Sequence, residues 1–171
     1  MEDAGGDGEV TLVSRAQWGA RDPQTRESVK GPVSKVIVHH TALSRCETPQ
    51  ASVAQLRSIQ RVHMEERRFH DVAYNFLVGG DGVVYEGRGW GAVGAHTMGH
   101  NVDSVGIAVM GNFKNESASP DVISSIRQLL RSGVALEHLH PNYTVSGHRD
   151  FAMTECPGKA LYCQLKGLQP D

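Results

Sequence analysis

Residues 35–40 read Lys-Val-Ile-Val-His-His, a short run of β-branched side chains that ends in two histidines. Such a run predicts a strand buried inside a sheet. A residue at the end of a buried strand faces a cleft, which makes His39 a candidate functional residue. Successive side chains of a strand point to opposite faces, so His39 and His40 cannot bind one ion unless the strand has ended.

Further strands and helices are interspersed along the chain. Short apolar segments predict strands over residues 35–40, 74–78, 83–86, 105–110 and 143–146. The second and third of these flank Gly79-Gly80-Asp81-Gly82, which is typical of an antiparallel hairpin. Capping residues and apolar residues at helical spacing predict helices from Pro49 to about Arg67, from Pro120 to Val134, and over residues 157–168. The expected fold is α/β, a central mixed β-sheet with about three helices packed on it.

Composition sets limits on the class of protein. The chain has 171 residues and a mass of 18.6 kDa, the size of one domain. Its net charge of −2 argues against nucleic-acid binding, which needs a basic excess, and no apolar run reaches the ~20 residues of a membrane span. Residues 1–9 (MEDAGGDGE) lack the apolar segment of a signal peptide and are expected to form a flexible tail before a single domain over residues 10–171.

Two histidines and a cysteine make a candidate zinc site. His39 ends the first buried strand, His148 follows the strand over residues 143–146, and Cys156 lies eight residues further on. Three protein ligands with a fourth position for water are the pattern of a catalytic zinc site, in which the pKa of the water falls to about 7. From these residues alone two alternatives stay open. All three can be structural side chains, or Cys156 can be a thiol nucleophile paired with His148.

A second group of polar residues is compatible with a binding groove. The glycine-rich loop Gly89–Gly94 contains Trp90 and precedes His96, an arrangement that suits the wall of a groove for a sugar or a peptide. His63 and Tyr74 are equally well explained as packing residues, the first on a helix and the second on a strand.

Eight short motifs follow one another from about Val10 to Leu168. They are Trp18–Ala20, Val36–Thr41, Asp71–Gly79, Gly82–Trp90, Gly94–His96, Ser104–Ile107, Gly147–Asp150 and Thr154–Gly158. In this order they resemble the peptidoglycan recognition proteins, which are related to the phage-lysozyme type of zinc N-acetylmuramoyl-L-alanine amidase. The resemblance implies a central mixed sheet with three helices and a cleft that holds zinc.

The resemblance also implies a reaction and its site residues. His39, His148 and Cys156 would bind zinc, and Tyr74 and Thr154 would assist hydrolysis of the amide between the muramic acid lactyl group and L-alanine of the stem peptide. The implied substrate-binding residues are His40, Thr41, His63, Arg88, Trp90, Gly91, Ala92 and His96. Members that only bind cell wall commonly lack the cysteine, so Cys156 favours an amidase over the alternative, a non-catalytic recognition receptor. The implied partners are bacterial peptidoglycan and muramyl peptides, and we expect a secreted monomer that acts in innate immunity.

Two positions depart from the family pattern. A second cysteine usually follows six residues after the position of Cys46, but here the residue is Ser52, so Cys46 is either free or paired with Cys163. The residues after Trp90 are Gly91 and Ala92, in a loop that helps to select lysine-type or diaminopimelic-type stem peptides. The glycine favours diaminopimelate, and Ala92 supplies no bulky wall, so the preference stays open.

Overall fold

A six-stranded sheet forms the centre of the computed structural model, which describes residues 10–171; the predicted tail lies outside the described residues. The strands are β1 (Leu12–Val13), β2 (Val33–His40), β3 (Phe76–Val78), β4 (Val84–Glu86), β5 (Ser104–Val109) and β6 (Leu139–Gly147). The helices are α1 (Arg15–Trp18), α2 (Pro49–Arg61), α3 (Pro120–Ala135) and α4 (Lys159–Gln164). The predicted mixed sheet and three main helices are confirmed, whereas β1 and the single turn α1 were not predicted.

The strand order is β1-β4-β3-β5-β2-β6. Among the six strands described, β3 and β4 form the one antiparallel pair, as the hairpin prediction required, and the remaining neighbours are parallel. The strand β2 therefore lies between two parallel partners, β5 and β6. This arrangement places the carboxyl ends of three strands at one edge of the sheet, where α/β proteins commonly form their sites.

Alternate side chains divide the core between the two faces of the sheet. Val36 and Val38 pack in the larger cluster, which includes residues of α3 and α4. Leu77 belongs to the cluster on the other face, under α2, with Trp18 and Leu56. By the same alternation His39 lies on the α2 face, which is where the cleft opens.

Both long helices begin where their capping residues predict. The side chain of Thr48 accepts a hydrogen bond from the amide of Ala51, and Ser119 caps α3 in the same way. A cap of this kind stabilises a helix by about 1 kcal/mol. The second helix differs from its prediction at its end, because α-helical bonding stops at Arg61 and a π-helical turn continues over Val62–Glu66.

Within residues 10–171, no helix combines the length and the apolar character that crossing a membrane requires.

Candidate metal centre and cleft

Parallel pairing of β2 with β6 brings the two candidate histidines together. Val38 is in register with Gly147, so His39 and His148 follow side by side at the ends of their strands. Their ring centroids are 4.6 Å apart. His39 is 1% exposed, and His148 is half-buried. The centre is therefore anchored inside the sheet and open on one side.

The turn after β6 returns Cys156 to the same place. The amide of Arg149 donates to the Cys156 carbonyl at 2.9 Å, which closes the turn on itself. The amide of His40 points to the Cys156 Sγ atom at 3.4 Å, and that sulfur lies 3.7 Å from His39 Nδ1. Ligand atoms of His39, His148 and Cys156 all lie within 4.8 Å of one another.

These three side chains fit a zinc ion. With Zn–N and Zn–S bonds of about 2.0 and 2.3 Å, two ligands on a tetrahedral ion are roughly 3.5 Å apart, close to the observed separation of His39 and Cys156. Two imidazoles with one thiolate are a donor set that zinc accepts, and three protein ligands leave a fourth position for water or substrate. This predicted trio is the one such cluster of His, Cys, Asp and Glu in residues 10–171.

Burial favours the neutral form of each of these groups. Burial lowers the pKa of His39 well below its usual value, and the neighbouring histidines lower it further. Burial also lowers the pKa of His148 and raises that of the Cys156 thiol to about 11, although the His40 amide and Arg149 oppose the second shift. Neutral imidazoles are ready to bind a cation, whereas the thiol must release its proton when a metal binds.

Tyr74 lies beside the metal centre. Its ring centroid is 5.2 Å from that of His39 and 5.8 Å from that of His63, and the residue is half-buried. Burial, followed by the proximity of Cys156, raises the pKa of Tyr74 to about 12. The hydroxyl therefore stays protonated and can donate a hydrogen bond at neutral pH. Thr154 is exposed in the turn, where its hydroxyl oxygen accepts from the Cys156 amide at 3.2 Å.

A cleft of about 260 Å³ extends from Tyr74 towards α2. Of the predicted groove residues, Thr41 and His63 line it. His63 is 6% exposed, and its Nδ1 accepts from the Ala73 amide at 3.0 Å, so the neutral ring carries its hydrogen on Nε2. Arg67 also lines the cleft; its only signal in the sequence was a basic residue near the end of the predicted helix.

His40 and Arg88 have structural partners in this fold. His40 is half-buried, and its Nδ1 accepts from the Phe113 amide at 3.1 Å. The guanidinium of Arg88 donates to the carbonyls of Val72 and Val93 at 2.7 and 3.0 Å. Arg88 therefore connects two loops, although it was predicted as a substrate-binding residue.

Trp90, predicted as a groove residue, has its ring on the α3 face of the sheet. It packs against Phe76, with ring centroids 4.8 Å apart, and is stacked parallel to His138. It also covers Gly133 of α3, where an added Cβ would lie 2.4 Å from the ring. His39 faces the opposite side, so Trp90 does not reach the cleft.

The two residues after Trp90 also pair with the protein itself. The Gly91 carbonyl accepts from the Val29 amide at 2.9 Å, and the carbonyl of the buried Ala92 accepts from the Asn75 side chain at 2.8 Å. Neither residue lines the cleft beside Tyr74. Periodicity could not show this, because the loop follows a short strand and its direction is set by tertiary contacts.

His96 occupies a position that the sequence did not indicate. It is 7% exposed and lies behind His39, with its Nδ1 2.9 Å from His39 Nε2. Burial, then His148 and Arg88, lower its pKa to about 3. It therefore lies behind the candidate metal centre and does not line the cleft beside Tyr74.

Comparison with known proteins agrees with this geometry. A family model described as N-acetylmuramoyl-L-alanine amidase (Amidase_2) matches residues 29–159. The chain is 42% identical over 158 residues to peptidoglycan-recognition protein SC1a of Drosophila melanogaster, covering 92% of this chain and 85% of that protein. This chain belongs to the peptidoglycan-recognition proteins of the N-acetylmuramoyl-L-alanine amidase family.

Other members of the family are similar over most of their length. Peptidoglycan recognition protein 1 of Bos taurus is 42% identical over 153 residues, covering 89% of this chain and 80% of that protein. Wild-type Drosophila PGRP-LB aligns with a TM-score of 0.89 at 36% identity, over 91% of this chain and 92% of that one. Peptidoglycan recognition protein-LE, in complex with tracheal cytotoxin, aligns with a TM-score of 0.90 at 39% identity, over 92% and 93%.

Cys46, whose usual family partner is replaced by Ser52, is unpaired. Cys46 is buried in the cluster under α2, Cys163 is exposed on α4, and both are free. The possible pairing of Cys46 with Cys163 is therefore wrong, because the two lie on opposite faces of the sheet. Ser52 is fully buried close to Cys46, and its hydroxyl has no hydrogen-bond partner among the described residues.

Proposed function

We propose that this peptidoglycan-recognition protein is a zinc-dependent N-acetylmuramoyl-L-alanine amidase. It binds bacterial peptidoglycan and hydrolyses the amide between the muramic acid lactyl group and L-alanine of the stem peptide. The observation that carries the proposal is the cluster of His39, His148 and Cys156 with Tyr74 beside it in an open cleft. Three protein ligands with a fourth position left open are the pattern of a catalytic zinc site, whereas a structural site is closed by four.

Each residue of the centre has a role in that reaction. His39 and His148 as neutral imidazoles and Cys156 as a thiolate would hold the ion. When bound, zinc would supply an activated water near neutral pH and a Lewis acid for the amide carbonyl. The protonated Tyr74 hydroxyl donates a hydrogen bond to the amide oxygen as it gains negative charge. Thr154 holds the turn of Cys156 through its hydroxyl and stands exposed at the mouth of the site.

The cleft beside the centre binds the muramyl peptide. Arg67 is exposed at its rim and offers a guanidinium to the carboxylates of a stem peptide. Complexes of related proteins with tracheal cytotoxin support this choice of ligand. We further propose that the chain acts in innate immunity as a secreted monomer.

Two cysteines allow a matched test of the proposal. Replacing Cys156→Ser removes the thiolate, so zinc content and release of stem peptide should both fall to background while the fragment still binds. Replacing Cys163→Ser alters an exposed thiol on α4 and should change neither property. Turnover by Cys156→Ser at the wild-type rate would exclude the zinc site as the centre of hydrolysis.

The same experiment separates the two rival functions. A wild-type protein that binds the fragment and releases no peptide, with zinc present, is a recognition receptor. Hydrolysis that is insensitive to chelators but stops after alkylation of Cys156 indicates a cysteine hydrolase. The raised pKa of Cys156 and the lowered pKa of His148 argue against that second mechanism, because a metal-free thiolate needs a charged partner.

A further inference from the structure

A line of hydrogen bonds leads from the metal centre into the sheet. His39 uses its two ring nitrogens in opposite directions. Nδ1 lies 3.7 Å from Cys156 Sγ, and Nε2 lies 2.9 Å from Nδ1 of His96. The nitrogen of His39 that faces the other candidate ligands is therefore Nδ1, and His96 contacts the nitrogen on the far side.

The direction of this line is set at its far end, by Ser104. Its hydroxyl donates to the His100 carbonyl at 2.7 Å, so its one hydrogen is already used. Towards His96 Nε2, at 3.4 Å, the Ser104 oxygen can only accept. His96 therefore carries its hydrogen on Nε2 and presents Nδ1 as an acceptor. Since one of two facing ring nitrogens must donate, His39 donates from Nε2.

We propose that His96 is a positioning residue that fixes the tautomer of His39. With the hydrogen of His39 on Nε2, its Nδ1 keeps a free lone pair on the side of Cys156 and His148, ready for a divalent cation. The inference rests on the proposed zinc site, since it assigns that site a supporting residue. Partners that orient a histidine ligand in this way commonly increase metal affinity.

The protein contains a space shaped for the His96 ring. A Cβ added at Gly106, in the middle of β5, would lie 2.4 Å from the ring, and one at Gly94 would lie 2.6 Å from it. The side chain of Asn101 accepts from the amides of His96 and Thr97, each at 2.9 Å, which holds the loop against the sheet. Glycine inside a strand weakens the sheet, so Gly106 is explained by the close approach of this ring.

The Thr97 hydroxyl is compatible with the same assignment. It lies 2.9 Å from His96 Nδ1 and 3.4 Å from His39 Nε2. A hydroxyl can both donate and accept, so it can donate to the His96 nitrogen that the line of bonds leaves as an acceptor. Because Nδ1 of His96 has one lone pair, the Thr97 hydrogen would share it with His39, and the Thr97 oxygen can accept from His39 Nε2 at 3.4 Å; both are compatible with the assigned direction.

The tautomer can be measured on the wild-type protein without metal. Nitrogen-15 NMR of histidine-labelled protein, with the His39 signals assigned by their loss in His39→Gln, should show hydrogen on Nε2 and none on Nδ1. A His39 ring with its hydrogen on Nδ1 would overturn the inference. This measurement needs neither zinc nor activity, so it gives an answer even if the proposed function fails.

Three variants test the consequence for metal binding. His96→Phe keeps a ring in the space but removes the acceptor, so zinc affinity, measured by competition with a chromophoric chelator, should fall about 10- to 100-fold. His96→Asn places Oδ1 where Nδ1 stood and should restore most of the affinity. Ser104→Ala removes the hydroxyl that sets the direction of these hydrogen bonds. It should weaken zinc binding by a smaller factor than His96→Phe.

The outcomes separate this inference from the proposed function. Equal zinc affinity in His96→Phe and the wild type would overturn the positioning role while leaving the zinc site intact. A wild-type protein that binds no zinc would contradict the proposed function, and the NMR result would then decide the tautomer alone. If His96→Phe does not fold, as judged by circular dichroism, Ser104→Ala supplies the comparison, and an unchanged affinity there counts against the role.

Discussion

The Nδ1 atom of His39 lies 3.7 Å from the Sγ atom of Cys156, although 117 positions separate the two residues in the chain. Two structural features produce this proximity. Parallel strands β2 and β6 end at the same edge of the sheet, and the turn after β6 closes through the bond from the Arg149 amide to the Cys156 carbonyl. Local sequence forms the strand end at His39 and the turn that carries Cys156, and the sheet topology brings the two together.

The Tyr74 hydroxyl should contribute to the reaction and not to metal binding. We expect Tyr74→Phe to lower kcat by about 10²–10³-fold, as does loss of one oxyanion donor, with KM and zinc content little changed. Tyr143→Phe is the control, because that hydroxyl lies on the other face of the sheet, near the Leu168 carbonyl. Steady-state rates on a muramyl peptide measure the effect, and equal kcat values for Tyr74→Phe and the wild type would exclude the role.

His63 should make the metal-free fold less stable in acid. Burial lowers its pKa from 6.5 to about 4, so between these values the unfolded chain binds more protons and the free energy of unfolding falls as pH decreases. His63→Asn keeps an acceptor for the Ala73 amide but does not titrate. The slope of unfolding free energy against pH should then decrease by up to about 1.4 kcal/mol per pH unit in that window.

The exposed His140 provides the matched control for that measurement. Urea unfolding of His140→Asn from pH 4 to 7, with a chelator present, should follow the wild-type slope. A His63→Asn slope equal to that of the wild type would show that His63 is not held neutral by burial.

Trp90 should matter for stability and not for ligand binding. Its ring fills space between Phe76, His138 and Gly133, so Trp90→Ala should lower the free energy of unfolding by about 3 kcal/mol. Arg67→Ala, at the exposed rim of the cleft, should instead weaken binding of a peptidoglycan fragment with little change in stability. Calorimetric titration and urea unfolding of both variants check the contrast, and weaker binding by folded Trp90→Ala would restore its predicted groove role.

A cysteine at position 52 should form the disulfide that this chain lacks. Ser52 and Cys46 are both buried and lie close together under α2. Closing this short loop should stabilise oxidised Ser52→Cys by about 2 kcal/mol relative to its reduced form. Thermal melts with and without reductant measure the difference, and Ser52→Ala should show none. Two free thiols in oxidised Ser52→Cys would contradict the prediction.

The sequence predicted best where the signal was local. The run before His39 and the caps at Thr48 and Ser119 indicated elements that the structure contains. The sequence named His39, His148 and Cys156 as one of three interpretations, and the family resemblance then favoured it. The structure brings the three side chains together. Alternation could not reveal that His96 lies behind His39, since that contact depends on how a loop crosses the sheet.

Trp90 shows what a local sequence pattern cannot predict. A glycine-rich loop with an aromatic residue suits a groove wall, yet nothing in the local pattern shows on which face of the sheet the ring will pack. Gly133, more than forty positions later, leaves the space that Trp90 fills. Only the packing of α3 against the sheet shows on which face the Trp90 ring lies.

Hydrolysis of a purified muramyl peptide, followed by mass spectrometry, is the decisive measurement. It should be made on both lysine-type and diaminopimelic-type fragments, with and without a zinc chelator, and after zinc is added back. The proposed zinc site of His39, His148 and Cys156 predicts release of free stem peptide that stops on chelation and returns with zinc. An intact fragment that remains bound to the zinc-loaded protein would contradict the proposed amidase activity and indicate a recognition protein.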